Sequence, residues 1–594
     1  MSEYAAPLDD MRFALDAVAG LKEIAQLPGC EQASPDTVDA VLGEAARFAG
    51  EVLSPLNAVG DRERSRLENG VVRTPAGFKE AYAAFASGGW AGIAALPEHG
   101  GHGLPATVAT AVFEMWNAAN MSFSLCPLLS VAAIELLAHL GTPEQKRIYL
   151  PKLVSGAWTG TMNLTEPQAG SDLGALRARA VKEGDHYRIT GQKIFITWGE
   201  HDVAENIVHL VLARLPDAPP GSKGISLFLV PKFLPKPDGA PGPRNDLRCI
   251  RLEDKLGIHA SPTCVMSYGD DGGAIGTLVG AENRGLEGMF IMMNHARLHV
   301  GLEGVAISER AYQKARHYAR ERVQGKPVTG PEAAKAPILH HPDVRRMLLA
   351  MRAGTEAARA LAYYVAGEAD RARHHPDAQR RQTAQARIDL LTPVVKAWCT
   401  DLGVEIASIG VQVHGGMGYV EETGAAQHMR DARIAPIYEG TNGIQANDLV
   451  GRKLARDRGA AAEALIADMR KTAAKLDGDK ATAALKEHLV RGVAALETAT
   501  RQLVGCCEKE LGRALAGAEP YLKLMGTVAA GWLMAESALA ARQQLASGQG
   551  DAKFLAAKLA TARFYAEHRL ATAAALVPAV AGGATVMEFD LDLL

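Results

Sequence analysis

Apolar positions recur every three or four residues in "DTVDAVLGEAARFAGEVLSPLN", residues 36–57. That period predicts a helix with one buried face, with Asp36 as its N-cap and Pro55 as its stop. "LSVAAIELLAHLGTPEQKRIYLPKL" predicts an apolar helix and then a second start at Thr142-Pro143-Glu144. From about 158 to 285 the period shortens. "HYRITGQKIFIT" reads as two alternating runs about a Gly191 turn, a hairpin, and "NIVHLVLARL" and "GISLFLVPK" read as strands. Residues 234–248, "LPKPDGAPGPRNDLR", are expected to form a long loop. Helical spacing returns in "HVGLEGVAISERAYQKARHYARERV" and "PDVRRMLLAMRAGTEAARALAYYVAGEADRA". After about 456 the chain turns alanine-rich, as in "GAAAEALIADMRKTAAKLDG", and ends in "PAVAGGATVMEFDLDLL", expected as a nonhelical tail. The order predicts a mainly α protein with a central β domain. The expected domains are an N-terminal helical domain (1–157), a middle β domain (158–285), a helical bundle (286–455) and an additional helical domain (456–594).

At 594 residues, two to four domains are expected. The 48% hydrophobic and 22% charged residues are an ordinary globular balance. A net charge of −3 supplies no basic field for nonspecific nucleic-acid binding. Seven cysteines without a CxxC suggest neither a disulfide framework nor a zinc site. The first residues lack the apolar core of a signal peptide, and no run of eighteen apolar residues occurs, so no membrane span is expected. A cytoplasmic location follows as an expectation.

Several stretches carry candidate chemistry. "MNLTEPQAGSD" ends a strand with hydroxyls and turn amides able to donate to a ring carbonyl or a phosphate. In "GQKIFITWG", alternation puts Phe195 and Thr197 on one face, a ring and a hydroxyl that could meet a flat heterocycle. "QVHGGMGYVEE" offers glycines that permit close backbone approach. "IAPIYEGTNGIQ" sets Glu439 after Ile437 and Tyr438 and before Gly440. Each stretch also has a plain structural reading: a strand end, a core phenylalanine, a helix terminus, or a buried Glu439 paired with Arg297 or Arg433.

Taken in order, "NLTEPQAGSD", "GQKIFIT", "KLGIHASPTC", "HARLHVGLEG", "QVHGGMGY" and "MRDARIAPIYEGTNGIQ" resemble the flavin-dependent acyl-CoA dehydrogenases over roughly residues 40–455. The extension after 456 and the opening "YAAPLDDMRF" look like the subfamily that includes methylthiopropanoyl-CoA dehydrogenase. The resemblance implies a helical domain, a β-barrel-like domain and a four-helix bundle, with FAD between the last two and part of its site supplied by a second subunit. It places Met162, Leu164 and Thr165 at the flavin's pyrimidine side, Phe195 stacked on the ring, and Thr197 near N5. Arg322, Gln324, Gln412, Gly415 and Gly416 would hold a neighbouring subunit's FAD, and Thr441 would meet FAD near its phosphates. Ser171, Asn294, Arg297 and Gly440 would bind the acyl-CoA, and Glu439 falls on the catalytic base. Phe195 stands where the family often has Trp, Asn294 where Asp is common, and Gly443 where Gln is common.

The implied reaction is α,β-desaturation of an acyl-CoA, of a sulfur-containing short acyl chain or a straight-chain one. An apolar setting raises the pKa of a base at Glu439, and its amide, with a flavin hydroxyl, would stabilise the enolate oxygen. An electron-transfer flavoprotein is the expected acceptor and a homodimer the expected assembly. An oxidase using oxygen, a family-related nucleic-acid-binding flavoprotein and a structural helical scaffold are the alternatives.

Overall fold

The computed structural model describes residues 4–328, 335–476 and 482–593. Asp477 and Gly478, at the end of one expected alanine-rich helix, lie outside the described residues. The chain forms two compact units. One holds 44–104 and 115–296 with the first few residues; the other holds 6–43, 105–114 and 297–594. These units cut across the expected domains, because residues 6–43 and 105–114 pack with the later helices.

In the first unit, the strand order is Leu247–Leu252, Thr263–Tyr268, His186–Thr197, Ala274–Leu278, Ile225–Pro231, Asn206–Arg214, Trp158–Asn163. Arg179–Glu183 pairs with both His186–Thr197 and Asn206–Arg214, curling the sheet toward a barrel. Alternation turns Tyr187, Ile189, Val211, Phe228, Val230 and Met266 into one buried core.

Local expectations are corrected here. His186–Thr197 is one strand of 12 residues, and the hairpin turn lies at Gly184-Asp185 instead. Gly191 sits inside the strand at φ +138°, and a Cβ there would come within 2.9 Å of the Ala178 Cα. It is a glycine of close approach, not of a turn. The expected loop at 234–248 contains strands Phe233–Pro235 and Pro241–Arg244, paired around a Pro237-Asp238-Gly239 turn that the Lys236 amide closes onto the Ala240 carbonyl at 2.9 Å. Pro55 does not stop the helix: Pro35–Phe48 runs through a π-helical turn, Ala49–Leu53, straight into Ser54–Glu63, and Pro55 sits in that last segment's first turn. Ser34, not Asp36, accepts the first-turn amide of Pro35–Phe48, from Thr37 at 3.2 Å. Thr142 does start Pro143–Val154, with a full capping box.

In the second unit Pro342–His374 packs with Ala378–His414 and with the later helices Ala518–Ala546 and Ala552–His568, and Gly285–Glu321 (from Arg297 onward) lies against Ala378–His414. A Cβ on Gly526 would meet the Trp398 ring at 2.3 Å, so the later helices sit directly on Ala378–His414. The expected tail is helical, Val577–Ala581 and Gly583–Glu588. It docks through an Arg513–Glu588 pair at 2.7 Å.

Arg359, fully buried, is the centre of a charge network. It donates to Glu114 at 2.6 Å and Glu309 at 2.8 Å, and to Asp10. Tyr363 also donates to Glu114, at 2.7 Å. Lys558 bridges Asp10 at 2.6 Å and Glu356 at 2.8 Å. Burial raises the Asp10 pKa, but Lys558 and Arg359 outweigh it and hold the carboxyl down at about 2.

The expectation of no membrane-length segment is also corrected. Met121–Leu140, Ala518–Ala546 and the stretch Ala552–Glu588 are long and apolar enough to cross a membrane, by length and composition. The apolar windows of the first two are 89% and 83% buried inside the protein, which accounts for their composition. The third, 22% buried, is broken after helix Ala552–His568 into three shorter helices. Polar and charged residues such as Glu135, Glu536 and Lys558 interrupt these stretches, so a search for uninterrupted apolar runs passes over them.

Candidate active site

The loop after helix Ala425–Ala432 is held by its own backbone. The Ile437 amide donates to the Ile434 carbonyl at 2.8 Å, and the Asn442 amide to the Pro436 carbonyl at 3.0 Å. Between them Glu439 adopts φ +56° and Gly440 φ +84°. A left-handed glutamate is a strained residue, kept only where its surroundings fix it. Thr441 caps helix Asn442–Asp448 by accepting the Ile444 amide at 3.3 Å. Asn442 ties the loop to Ala378–His414 by donating to Asp401 at 2.7 Å and Thr400 at 3.0 Å, while Lys396 donates to Asn442 at 2.8 Å. The Gln445 side chain donates to the Glu439 carbonyl at 3.1 Å.

Burial raises the Glu439 carboxyl to about 7, against the pull of Arg297 and Lys396. Among the described residues, no side chain hydrogen-bonds or ion-pairs with that carboxylate. Arg297 pairs with Asp448 at 3.4 Å, and Arg433 is exposed. The structural reading of Glu439 as half of an arginine pair therefore has no partner here. Its amide and that of Gly440 also have no acceptor among the described residues. Such a group, basic near neutrality and flanked by free donors, can take a proton from carbon and steady the oxygen that gains charge.

In the first unit the strand end at Trp158–Asn163 and the strand His186–Thr197 bring together a second set of residues. The Ile194 amide donates to the Thr165 carbonyl at 2.9 Å, and buried Lys193 donates to the Leu164 carbonyl at 2.9 Å and to Glu166 at 2.8 Å. Met162, Leu164 and Thr165 thus lie alongside 193–195. A bulge against Thr263–Tyr268 falls at Ile194-Phe195, and Phe195 takes φ +58° there. The residue is 59% exposed. Trp198 is buried, its indole donating to the Ser122 carbonyl at 3.1 Å, so of these three Phe195 is exposed and Thr197 half-buried. An outward ring beside a hydroxyl fits the face of a flat heterocycle. Ser171 is exposed in the loop that follows, and Asn294 is exposed one turn before Arg297 in Gly285–Glu321.

Gln412, Gly415 and Gly416 are exposed at the end of Ala378–His414, and a Cβ on either glycine would meet open space. Arg322 and Gln324 are exposed just past Gly285–Glu321, in a segment bridged to Pro337 at Val323. Sequence reading missed Glu303 and Lys396, both fully buried near Glu439. The available signal was a lone charge inside an apolar run, as in "TPVVKAWCT" and "HVGLEGVAI".

Profiles described as the N-terminal, middle and C-terminal domains of acyl-CoA dehydrogenase match residues 35–157, 161–270 and 283–454. A fourth, acetyl-CoA dehydrogenase C-terminal like, matches 465–590. The 3-methylmercaptopropionyl-CoA dehydrogenase of Ruegeria pomeroyi is 50% identical over 96% of each chain. This chain belongs to the acyl-CoA dehydrogenase family. A broad-specificity linear acyl-CoA dehydrogenase of Mycobacterium tuberculosis is 34% identical to it over 96% of each chain. The acyl-CoA dehydrogenase complexed with FAD from Bacillus anthracis shares the fold at a TM-score of 0.74 and 21% identity, over 96% of this chain and 91% of that one. This acyl-CoA dehydrogenase is an FAD oxidoreductase.

Proposed function

We propose that this acyl-CoA dehydrogenase desaturates 3-(methylthio)propanoyl-CoA, with Glu439 as the base that removes the α-proton. The mechanism is carried by Glu439, a crowded carboxylate raised to about 7 with no ion-pair partner among the described residues. The substrate is supported by the 50% identity to the Ruegeria pomeroyi enzyme along nearly the whole chain. A straight-chain acyl-CoA is the second reading, favoured by the linear specificity named for the Mycobacterium tuberculosis relative.

When bound, FAD supplies the acceptor for the β-hydrogen and its electron pair. The chain's residues do the rest. Glu439 takes the α-proton, and the free Glu439 and Gly440 amides donate to the thioester oxygen as the enolate forms. The left-handed loop holds carboxylate and amides in fixed relation, so little reorganisation accompanies proton transfer. Phe195 and Thr197, with Met162, Leu164 and Thr165, would receive the flavin ring, and Thr441 would stand near the FAD phosphates. Ser171, Asn294 and Arg297 would bind the CoA part.

Arg322, Gln324, Gln412, Gly415 and Gly416 are exposed polar and glycine positions suited to a partner subunit's cofactor, which supports a homodimer. A carrier flavoprotein would take the electrons, and the step would belong to breakdown of acyl chains by β-oxidation chemistry. All seven cysteines are free, which suits the cytoplasm.

Anaerobic titration with acyl-CoAs of increasing length tests the reading. The 3-(methylthio)propanoyl thioester should bleach the flavin at least as fast as any straight-chain one. Faster bleaching by a long acyl-CoA assigns the second reading. The rate of bleaching should rise with pH through an inflection near 7, because only ionised Glu439 accepts the proton. At pH 6 it should sit about tenfold below its plateau. An inflection near the ordinary glutamate value would remove the desolvated base. Phe195→Ala should bind FAD about tenfold more weakly in a fluorescence titration of apoprotein. Unchanged affinity would place the flavin ring elsewhere.

A further inference from the structure

Helix Gly285–Glu321 carries a carboxyl where its packing calls for an apolar side chain. Val300, Leu302, Val305 and Ala306 are buried around Glu303, which has no exposed surface itself. The helix comes very close to Ala378–His414 at this point. A Cβ on Gly304 would meet the Cys399 carbonyl oxygen at 2.2 Å, and one on Gly301 the Val395 carbonyl oxygen at 2.7 Å. One Glu303 oxygen accepts the Tyr438 hydroxyl; the other has no partner among the described residues. A purely structural buried glutamate would be expected to be paired at both oxygens.

The charged groups facing Glu303 come from two directions. Lys396 faces it from Ala378–His414, and Tyr438 and Glu439 face it from the loop. Behind them, Asp401 acts on Lys396, Asp431 acts on Tyr438, and Arg297 acts on both Glu439 and Lys396 while engaged with Asp448. We propose that Glu303 is a positioning residue for the reaction, tethering Glu439 through the Tyr438 hydroxyl and acting as a neutral second carboxyl beside the working base. This rests on the assignment of Glu439 as that base.

Tyr438 immediately precedes Glu439, so its tether fixes one side of the left-handed residue while Asn442 fixes the other. Burial raises Glu303 to about 8, and the Glu439 charge adds to that rise. Glu303 has no exposed surface while Glu439 keeps some, so Glu439 loses its proton first, with Glu303 still neutral. The pair then carries one negative charge across the interval between the two steps. Burial lowers Lys396 to about 8 as well, so the two groups must be told apart by experiment.

The holoenzyme's bleaching rate against pH should show two inflections, near 7 and near 8, and Glu303→Gln should keep the first and lose the second. An upper inflection that persists in Glu303→Gln belongs to Lys396 and overturns the proposal. So does a wild-type profile with only one. Tyr438→Phe should lower kcat about tenfold with KM moved less than twofold; an unchanged kcat removes the tether. A readout free of turnover is the infrared carbonyl band of a neutral carboxylic acid in Glu439→Gln. At pH 6 that band should be present, vanish on raising the pH, and be missing when Glu303→Gln is added. Its titration should fall somewhat below 8, since the neighbouring charge is gone. A band unaffected by Glu303→Gln overturns the neutral carboxyl. If Glu439→Gln itself still bleaches the flavin, the base assignment has failed, whatever Glu303 does.

Discussion

Glu439→Gln is expected to stay yellow and bind acyl-CoA while its flavin bleaches about a thousandfold more slowly, or not at all. Glutamine keeps the size of the side chain and the two amides that flank the thioester oxygen. It also keeps the backbone strain, since any L-residue at φ +56° meets the same cost. What it lacks is a lone pair basic enough to accept a proton from carbon. The expected loss is large because no other side chain bonds to that carboxylate among the described residues. Nearby Lys396 is engaged with Asn442, and Glu303 with Tyr438. Stopped-flow absorbance under anaerobic conditions measures it directly. Rapid bleaching by Glu439→Gln would place the base on another residue.

Arg359→Ala should cost about 3–5 kcal/mol of stability. The guanidinium satisfies Glu114, Glu309 and Asp10 together, and all four groups lie in or near the core. Its removal strands Glu114 above all, which has no exposed surface for water to reach. Lys558 still holds Asp10, but among the described residues Glu114 keeps only the Tyr363 hydroxyl. The pH dependence carries a sign. Asp10 has a folded pKa of about 2, below its usual 3.8, so its ion pairs stabilise the protein above 3.8 and that contribution fades as pH falls toward 2. The urea midpoint of Arg359→Ala should therefore fall well below wild type near neutrality, with the gap narrowing in acid. Arg47→Ala is the control. Its pairs with Glu44 and Glu51 are exposed, and no measurable change is expected. A midpoint within error of wild type for Arg359→Ala would show that the acids simply take up protons at little cost.

The sequence made the architecture legible wherever period and composition act locally. Helix spacing after 286, the strand patterns at 206–214 and 225–231, and the Thr142 start all follow from side chains a few residues apart. Two of the errors share one physical origin, a partner distant in sequence. Gly191 reads as a turn because glycine allows one, yet its role is set by Ala178 on another strand. The Pro/Gly stretch at 234–248 reads as a loop because its strands are too short to alternate visibly. The alanine-rich tail reads as nonhelical because its helices depend on docking against Arg513. Glu439 was legible through its neighbours. Glu303 was not, because its partner, Tyr438, lies 135 residues away. A lone acid in an apolar run shows that something must pair with it, not what.

The Asp10–Lys558 bridge joins groups 548 positions apart. A ribosome working from the amino end must release nearly the entire polypeptide before the opening segment can find this cationic mate. Until then Asp10 can pair with Arg359 but not with Lys558, and the site meant to receive it stays unfinished. This bridge can therefore close only once the end of the chain has been made. Expression at reduced temperature, or with chaperones in excess, should raise the yield of intact enzyme more than any change made to the early helices.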